Sequence, residues 1–222
     1  MAGGTGYIGQ RLVATLAARG HRVRVLARAA SRARVPAGVT AVVGDALEPR
    51  SYTAAVEPGD VIVHLVGTPH PSPRKAAEFQ RVDLASIRAA VAAAAAQRAS
   101  HLVYVSVAHP APVMAAYIAV RAEGEVLIAA AQLTATILRP WYVLGPGHRW
   151  PLALIPIYAV ARKIPALREG AERLGLVTVA QMVSALTLAV EIPPARGTRR
   201  VVSVPGIRGA ALRAASAVDG RI

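Results

Sequence analysis

Apolar and polar positions along this chain change rhythm at short intervals, and the changes mark out strands alternating with helices. Between Ile8 and Arg19 the residues Ile8, Leu12 and Leu16 recur at the spacing of one helix face, and Gly20 follows as a stop. Arg22 to Ala27 alternates basic and apolar residues, the period of a strand, and Val39 to Val43 is a second strand closed by Gly44 and Asp45. Ser51 to Val56 predicts a short helix. Val61 to Val66 is an apolar run broken only by His64, the pattern of a strand covered on both faces. A proline-rich loop from Thr68 to Pro73 leads into an alanine-rich helix from Ala76 to Arg98. His101 to Ser106 and Thr134 to Leu138 read as further strands, with a helix from Met114 to Gln132 between them. Strands alternating with helices imply right-handed crossovers and a mainly parallel α/β sheet.

After Pro140 prolines and glycines become frequent and the predicted elements shorten. Thr178 is placed to cap a helix running through Val190, and Arg200 to Val204 suits a last strand. The pattern predicts a core over residues 1–140 and a small C-terminal substrate or cap region over 141–208 that returns to it. Residues 209–222, rich in alanine and arginine, predict a loose tail.

Composition narrows the function classes. The formal charge is +14, but the arginines are scattered and no basic run is interleaved with aromatics, so nucleic acid is not the expected partner. There is no cysteine, which excludes disulfides, thiolate catalysis and cysteine-based metal sites. His21, His64, His70, His101 and His109 show no metal-ligand spacing with carboxylates, and no metal is expected. The start lacks a secretory pattern, and the apolar stretch from Trp150 to Ala161 is short and broken by Pro151 and Pro156. No transmembrane segment is predicted, and the cytoplasm is the expected location. Pro151 to Val160 suits plain packing, a cap over an apolar substrate, a partner surface or peripheral membrane contact.

The sharpest chemical signal is Gly3-Gly4-Thr5-Gly6-Tyr7-Ile8-Gly9, opening directly into a helix. Gly3 permits the tight turn out of a strand, Gly6 lets the backbone approach a pyrophosphate, and Gly9 lets the helix pack close to the sheet. Amide hydrogens at the helix start, with Thr5, Tyr7 and Ile8 around them, then face the phosphates of a dinucleotide. The second strand ends at Arg28, with no acidic residue before Asp45. An arginine there accommodates a ribose 2′-phosphate, so NADP is preferred over NAD. Asp45 and Ala46 fall where the adenine would lie, with a plain turn role for Asp45 as the alternative. Val66 and Gly67 end the next strand on the cofactor side. The turn requires a strand before it, and only Met1-Ala2 stands there. This predicts about five to eight apolar strand residues upstream, with a GTG valine codon inside that strand read as the start.

With these residues in order the chain resembles the extended and atypical short-chain dehydrogenase/reductase superfamily. The closer resemblance is to atypical, NmrA-like NAD(P)-binding proteins, including the branch with the accessory subunit of respiratory complex I. The resemblance rests on the glycine motif, Arg28, Gly44-Asp45, the Val61–Gly67 strand and Leu138-Arg139-Pro140, and it implies a Rossmann-type doubly wound fold. It also implies a catalytic tyrosine, a lysine four residues later and an upstream serine. Here Tyr117, Arg121 and Ser106 take those places, while Val107 and Ala108 offer no second hydroxyl. Arginine can stabilise a phenolate and bind ribose but does not relay a proton. Trp141 and Tyr142 would wall a substrate cleft, and His148 is a loop histidine that is either solvated or a proton donor. Two functions stay open. One is an oxidoreductase, or epimerase-like enzyme, acting on a small, apolar or sugar-nucleotide substrate. The other is a non-catalytic cofactor-binding module that senses redox state or supports an assembly.

Overall fold

The computed structural model describes residues 1–146 and 164–210. Along them run α1 (Tyr7–Ala18), β1 (Arg24–Ala27), β2 (Thr40–Val43), α2 (Pro49–Thr53) and β3 (Val61–His64), then α3 (Ala76–Glu78), α4 (Ala85–Ala96), β4 (His101–Val105), α5 (Ala115–Ala130) and β5 (Ala135–Leu138). They are followed by β6 (Tyr142–Leu144), α6 (Pro165–Arg173), β7 (Leu176–Thr178), α7 (Val179–Glu191) and β8 (Arg199–Val202). β3, β4, β5 and β8 form a parallel ladder in that order, and β1 pairs in parallel with β2. Ala2 joins the two groups through single parallel bridges to Leu26 and His64. The sheet therefore runs β2, β1, Ala2, β3, β4, β5, β8, the doubly wound arrangement of a Rossmann-type fold.

Strand alternation sends side chains to two helical layers. Ile62, Leu102, Tyr104 and Ile137 pack with Phe79, Ile87, Val120 and Ile128 on the side of α4 and α5. Val63, Val103 and Leu138 pack on the other side with Leu12 and Leu16 of α1 and Met182 and Leu186 of α7. Thr178 caps α7 in a reciprocal box with Gln181.

Three features differ from the pattern-based expectation. The long helix expected from Ala76 is interrupted by a π-helical segment, Phe79–Leu84, which buries Phe79, Asp83 and Leu84. The wider turn changes which side chains face inward, and a periodicity count does not see it. Within the region after Pro140, β8 belongs to the main sheet and α7 to its packed layer, while β6 and β7 form a separate small ladder. β6, α6 and β7 were not legible in the proline- and glycine-rich sequence. Residues 204–210 are helical, with Val204, Ile207 and Ala210 buried, so the stretch expected to be loose starts within packed structure; its remainder lies outside the described residues. No helix among the described residues is long and apolar enough to cross a membrane.

Beside Met1 the sheet is open. A cavity of about 220 Å³ lies between β1 and β3, lined by Leu16, Val23, Tyr52, Val56, Ile62 and Val190 among others. The Met1 ammonium lies inside and donates to the Arg24 carbonyl at 2.7 Å. Burial lowers its pKa to about 6, against a weaker opposing pull from Asp60.

Candidate cofactor and active site

The glycine turn leaves the Ala2 bridge and enters α1 at the carboxyl edge of the sheet. Gly3 has φ +81°, and an added Cβ would stand 2.8 Å from the Leu65 carbonyl carbon, so backbone approaches backbone there. A Cβ on Gly9 would fall on the Gly3 carbonyl oxygen. Gly6 is the exposed N-cap of α1 and, having no side chain, caps none of the amides behind it. Those amides are donors for an anion. Tyr7 lies across from the next segment: a Cβ on Gly145 would overlap the Tyr7 hydroxyl. Arg11 stacks 4.4 Å from the Tyr7 ring centroid.

The strand ends flank this turn. Arg28 follows β1, exposed, ahead of a 3-10 segment Ala29–Arg34 in which Ser31 is buried and Arg32 and Arg34 are exposed. Arg34 donates to the Ser31 hydroxyl at 3.1 Å. Asp45 accepts from the Leu47 amide, and its own amide donates to Ser51. Its carboxylate thus shapes the turn that carries Ala46, and one oxygen keeps further accepting capacity. Val66 and Gly67 stand at the end of β3, and an added Cβ on Gly67 would overlap the Arg121 guanidinium.

Arg121 is not a surface cation. Its side chain is 5% exposed and ion-pairs with Asp83 at 2.5 Å. It also donates to the carbonyls of Val105 at 2.9 Å and Val66 at 3.3 Å. Burial alone would weaken its charge, but Tyr117, Tyr104 and Asp83 outweigh that and raise its pKa, so it stays a cation. Tyr117, one turn earlier, is half-buried with its ring 5.0 Å from Phe79 and 5.2 Å from the guanidinium carbon. The sequence pair Tyr117 and Arg121 is therefore together in space, inside a network that also holds Asp83 and Thr68.

Ser106 ends β4 and donates its proton to Glu125 at 2.6 Å. Arg139 forks onto the same carboxylate, with its Nε at 2.9 Å from Oε1 and its Nη2 on Oε2. The His109 Nε2 lies 3.5 Å away from Oε1. Ser106 is thus held on a charged pair rather than standing free beside Tyr117. Trp141 and Tyr142 are half-buried and meet edge to face, 5.6 Å between centroids. His148 and the stretch Pro151 to Val160 lie outside the described residues. Among the described residues no group of histidines and carboxylates could hold a metal ion.

Asp83, Thr68, Glu125 and Arg139 went unassigned in the sequence reading. Asp83 had a signal, being the only acid between Phe79 and Ala96 of an alanine-rich stretch. Glu125 had another, standing one turn after Arg121.

A dinucleotide fits these residues on two observations. The turn is a cradle in which Cβ atoms would collide, and Arg121 Nε is a buried donor with no acceptor among the described residues. Comparison with known proteins agrees. The family model described as NAD(P)H-binding matches residues 3–148. Ceramide reductase of Caulobacter vibrioides is 33% identical over 174 residues, covering 75% of this chain and 53% of that protein. The chain thus spans about half the length of that relative. The 3-diazoavenalumate denitrifying reductase of a Streptomyces species is 32% identical over 218 residues, covering 86% of this chain and 71% of that one. Among solved structures, the UDP-glucose 4-epimerase of Thermus thermophilus in complex with NAD superposes with TM-score 0.64 at 21% identity, over 98% of this chain and 82% of that one. A dTDP-glucose 4,6-dehydratase of Streptomyces venezuelae with NAD bound gives 0.65 at 18% identity, over 97% and 80%. These structures share the fold. From the glycine cradle, the doubly wound sheet and the matched family model together, the chain belongs to the NAD(P)H-binding family.

Proposed function

We propose that the protein is an NADPH-dependent reductase of a carbonyl-type substrate, with Tyr117 as the proton donor. The observation that carries this is Tyr117 standing one helical turn before a buried, permanently charged Arg121 at the carboxyl edge of the sheet. Both relatives are named as reductases, which supports the same class. Gly3, Gly6 and Gly9, with Thr5, Tyr7 and Ile8, would seat the pyrophosphate. Asp45 and Ala46 would border the adenine, and Val66 and Gly67 the nicotinamide side. Exposed Arg28, with Arg32 and Arg34 behind it and no acid before Asp45, favours a 2′-phosphate and hence NADP over NAD.

When bound, NADPH supplies the hydride that reaches the carbonyl carbon. Tyr117 passes its phenolic proton to the carbonyl oxygen as charge develops there, and the phenolate left behind faces the Arg121 cation before solvent returns the proton. Arg121 holds charge and does not relay protons, because its guanidinium stays protonated. Glu125 and Arg139 fix Ser106 at the end of β4 beside this site.

A second reading has its own support. The locked Arg121–Asp83 pair suits a rigid, non-catalytic cofactor-binding module as well as an enzyme. One experiment separates them: Tyr117→Phe assayed for turnover and for NADPH and NADH affinity. A reductase loses about a hundredfold or more in rate while NADPH affinity stays within about twofold. Unchanged biological output with full cofactor binding selects the module. Tighter binding of NADH than NADPH overturns the role given to Arg28.

A further inference from the structure

We propose that the site takes an apolar ketone or aldehyde with an extended hydrocarbon body, not a sugar nucleotide, and that Trp141 is the residue that reads that body. The proposal rests on the reductase reading above and names its substrate class. Reduction turns the carbonyl into an alcohol: a hydride from the reduced nicotinamide dinucleotide reaches the carbon, and the Tyr117 proton reaches the oxygen. Two segments follow the strands at the carboxyl edge of the sheet, residues 107–114 after β4 and 140–146 after β5. They are joined where the Ala108 amide donates to the Pro140 carbonyl at 2.9 Å. The second also meets the glycine turn, because Gly145 stands against the Tyr7 hydroxyl. The first leads directly into the helix that carries Tyr117.

Neither segment contains Asp, Glu, Lys or Arg, and the chain is free of them from Val107 through Val120. Their apolar side chains are not packed away. Val113 is 53% exposed, and Trp141, Tyr142 and Leu144 are half-buried. Large apolar groups left partly in water beside a reaction site gain by covering a ligand's hydrocarbon. Charge decides between the substrates left open. A sugar nucleotide brings a diphosphate, whose charge needs cations once water is displaced. The arginines that reach these segments, or the strand ends before them, are already paired. Arg121 holds the Val105 carbonyl and Asp83, Arg139 holds Glu125, and Arg173 holds the Pro110 carbonyl and Glu169. Asp83 and Glu125 are largely buried, so drawing either arginine away to a phosphate would strand a carboxylate. An uncharged chain asks for no such separation and gains with each methylene it buries.

The test is a titration of the wild-type protein with 2-hexanone, 2-octanone, 2-decanone and UDP-glucose, by calorimetry in the presence of NADP+, with NADPH oxidation followed in parallel. Each added pair of methylenes is expected to lower Kd about tenfold. UDP-glucose is expected to bind about a hundredfold more weakly than 2-decanone. Trp141→Ala is expected to flatten the series, weakening 2-decanone about tenfold while NADPH affinity stays within about twofold. A series without length dependence overturns the proposal, as does UDP-glucose binding as tightly as 2-decanone, even where short ketones are reduced and the reductase reading stands. An unaltered series in folded Trp141→Ala overturns the role given to Trp141. Length-dependent binding with no NADPH oxidation supports the apolar site and overturns the reductase reading instead.

Discussion

β3, β4, β5 and β8 are paired in that order over four residues at each step, whereas among the described residues β1 and β2 join them in the sheet through the two bridges of Ala2. The first group carries the Asp83–Arg121 and Glu125–Arg139 networks and most of the larger buried clusters, one of which also takes in Leu26 and Tyr52. The second carries a cavity, a buried ammonium and a cluster of three fully buried residues, Val13, Val25 and Ala27. The glycine turn sits on the joint between them. Ligand sites are drawn from less strongly held parts of a structure, because a cradle has to admit and release its ligand. In the proposed reading the half with the Asp83–Arg121 and Glu125–Arg139 networks would take the nicotinamide end, and the half with β1 and β2 the adenine end.

The sharpest way to break this arrangement is Gly9→Ala. The new Cβ would press on the Gly3 carbonyl oxygen, a backbone atom that cannot rotate aside. Overpacking of this kind costs about 1–3 kcal/mol in stability, and NAD(P)H affinity is expected to drop about a hundredfold, read by calorimetric titration. Near-normal binding would mean that the joint tolerates movement and that the cradle is softer than drawn.

A gain is expected from filling the cavity. A short apolar extension ahead of Met1 turns the buried ammonium into a peptide amide, extends the pairing with β1 and β3, and occupies the roughly 220 Å³ space. The stabilisation should be roughly 2–4 kcal/mol, seen as a Tm higher by about 5–10 °C. No change in Tm would show that the open side of Ala2 does not limit stability.

The smallest effect is in pH dependence, and it separates the two halves. The folded-state pKa of the Met1 amino group is lowered to about 6 from 8.0, so the unfolded chain binds more protons between those values. Stability therefore falls as pH drops from about 8 to 6, by roughly 2–3 kcal/mol in all. His64 and His101, buried in the other half, have pKa values lowered by burial to about 3 and about 4, so their loss of stability comes below about 6.5. The extension ahead of Met1 should abolish the upper arm and leave the lower one, as followed by urea midpoints across pH. A single unbroken slope that the extension does not alter would count against this division.

Much of the candidate site's geometry was legible before folding because it is local. Gly3, Gly6 and Gly9 act through their own backbone, and Tyr117 and Arg121 share a helix face through spacing alone. Asp83 was not legible, because its value lies in Thr68 and Arg121, partners distant along the chain. Ser106 was located at its strand end, yet its partner Glu125 lies on a different element.

By itself the sequence determined the alternation of strands and helices, the glycine-rich turn and the acid-free stretch around Arg28, since periodicity, glycine and charge are written residue by residue. Only the tertiary structure decided that Arg121 is an internal brace held by Asp83, that β8 closes the main sheet, and that Ala2 bridges the sheet's two parts. Those outcomes depend on which surfaces meet, and the free energy of burying a charge or pairing a strand is set by neighbours that no local pattern names.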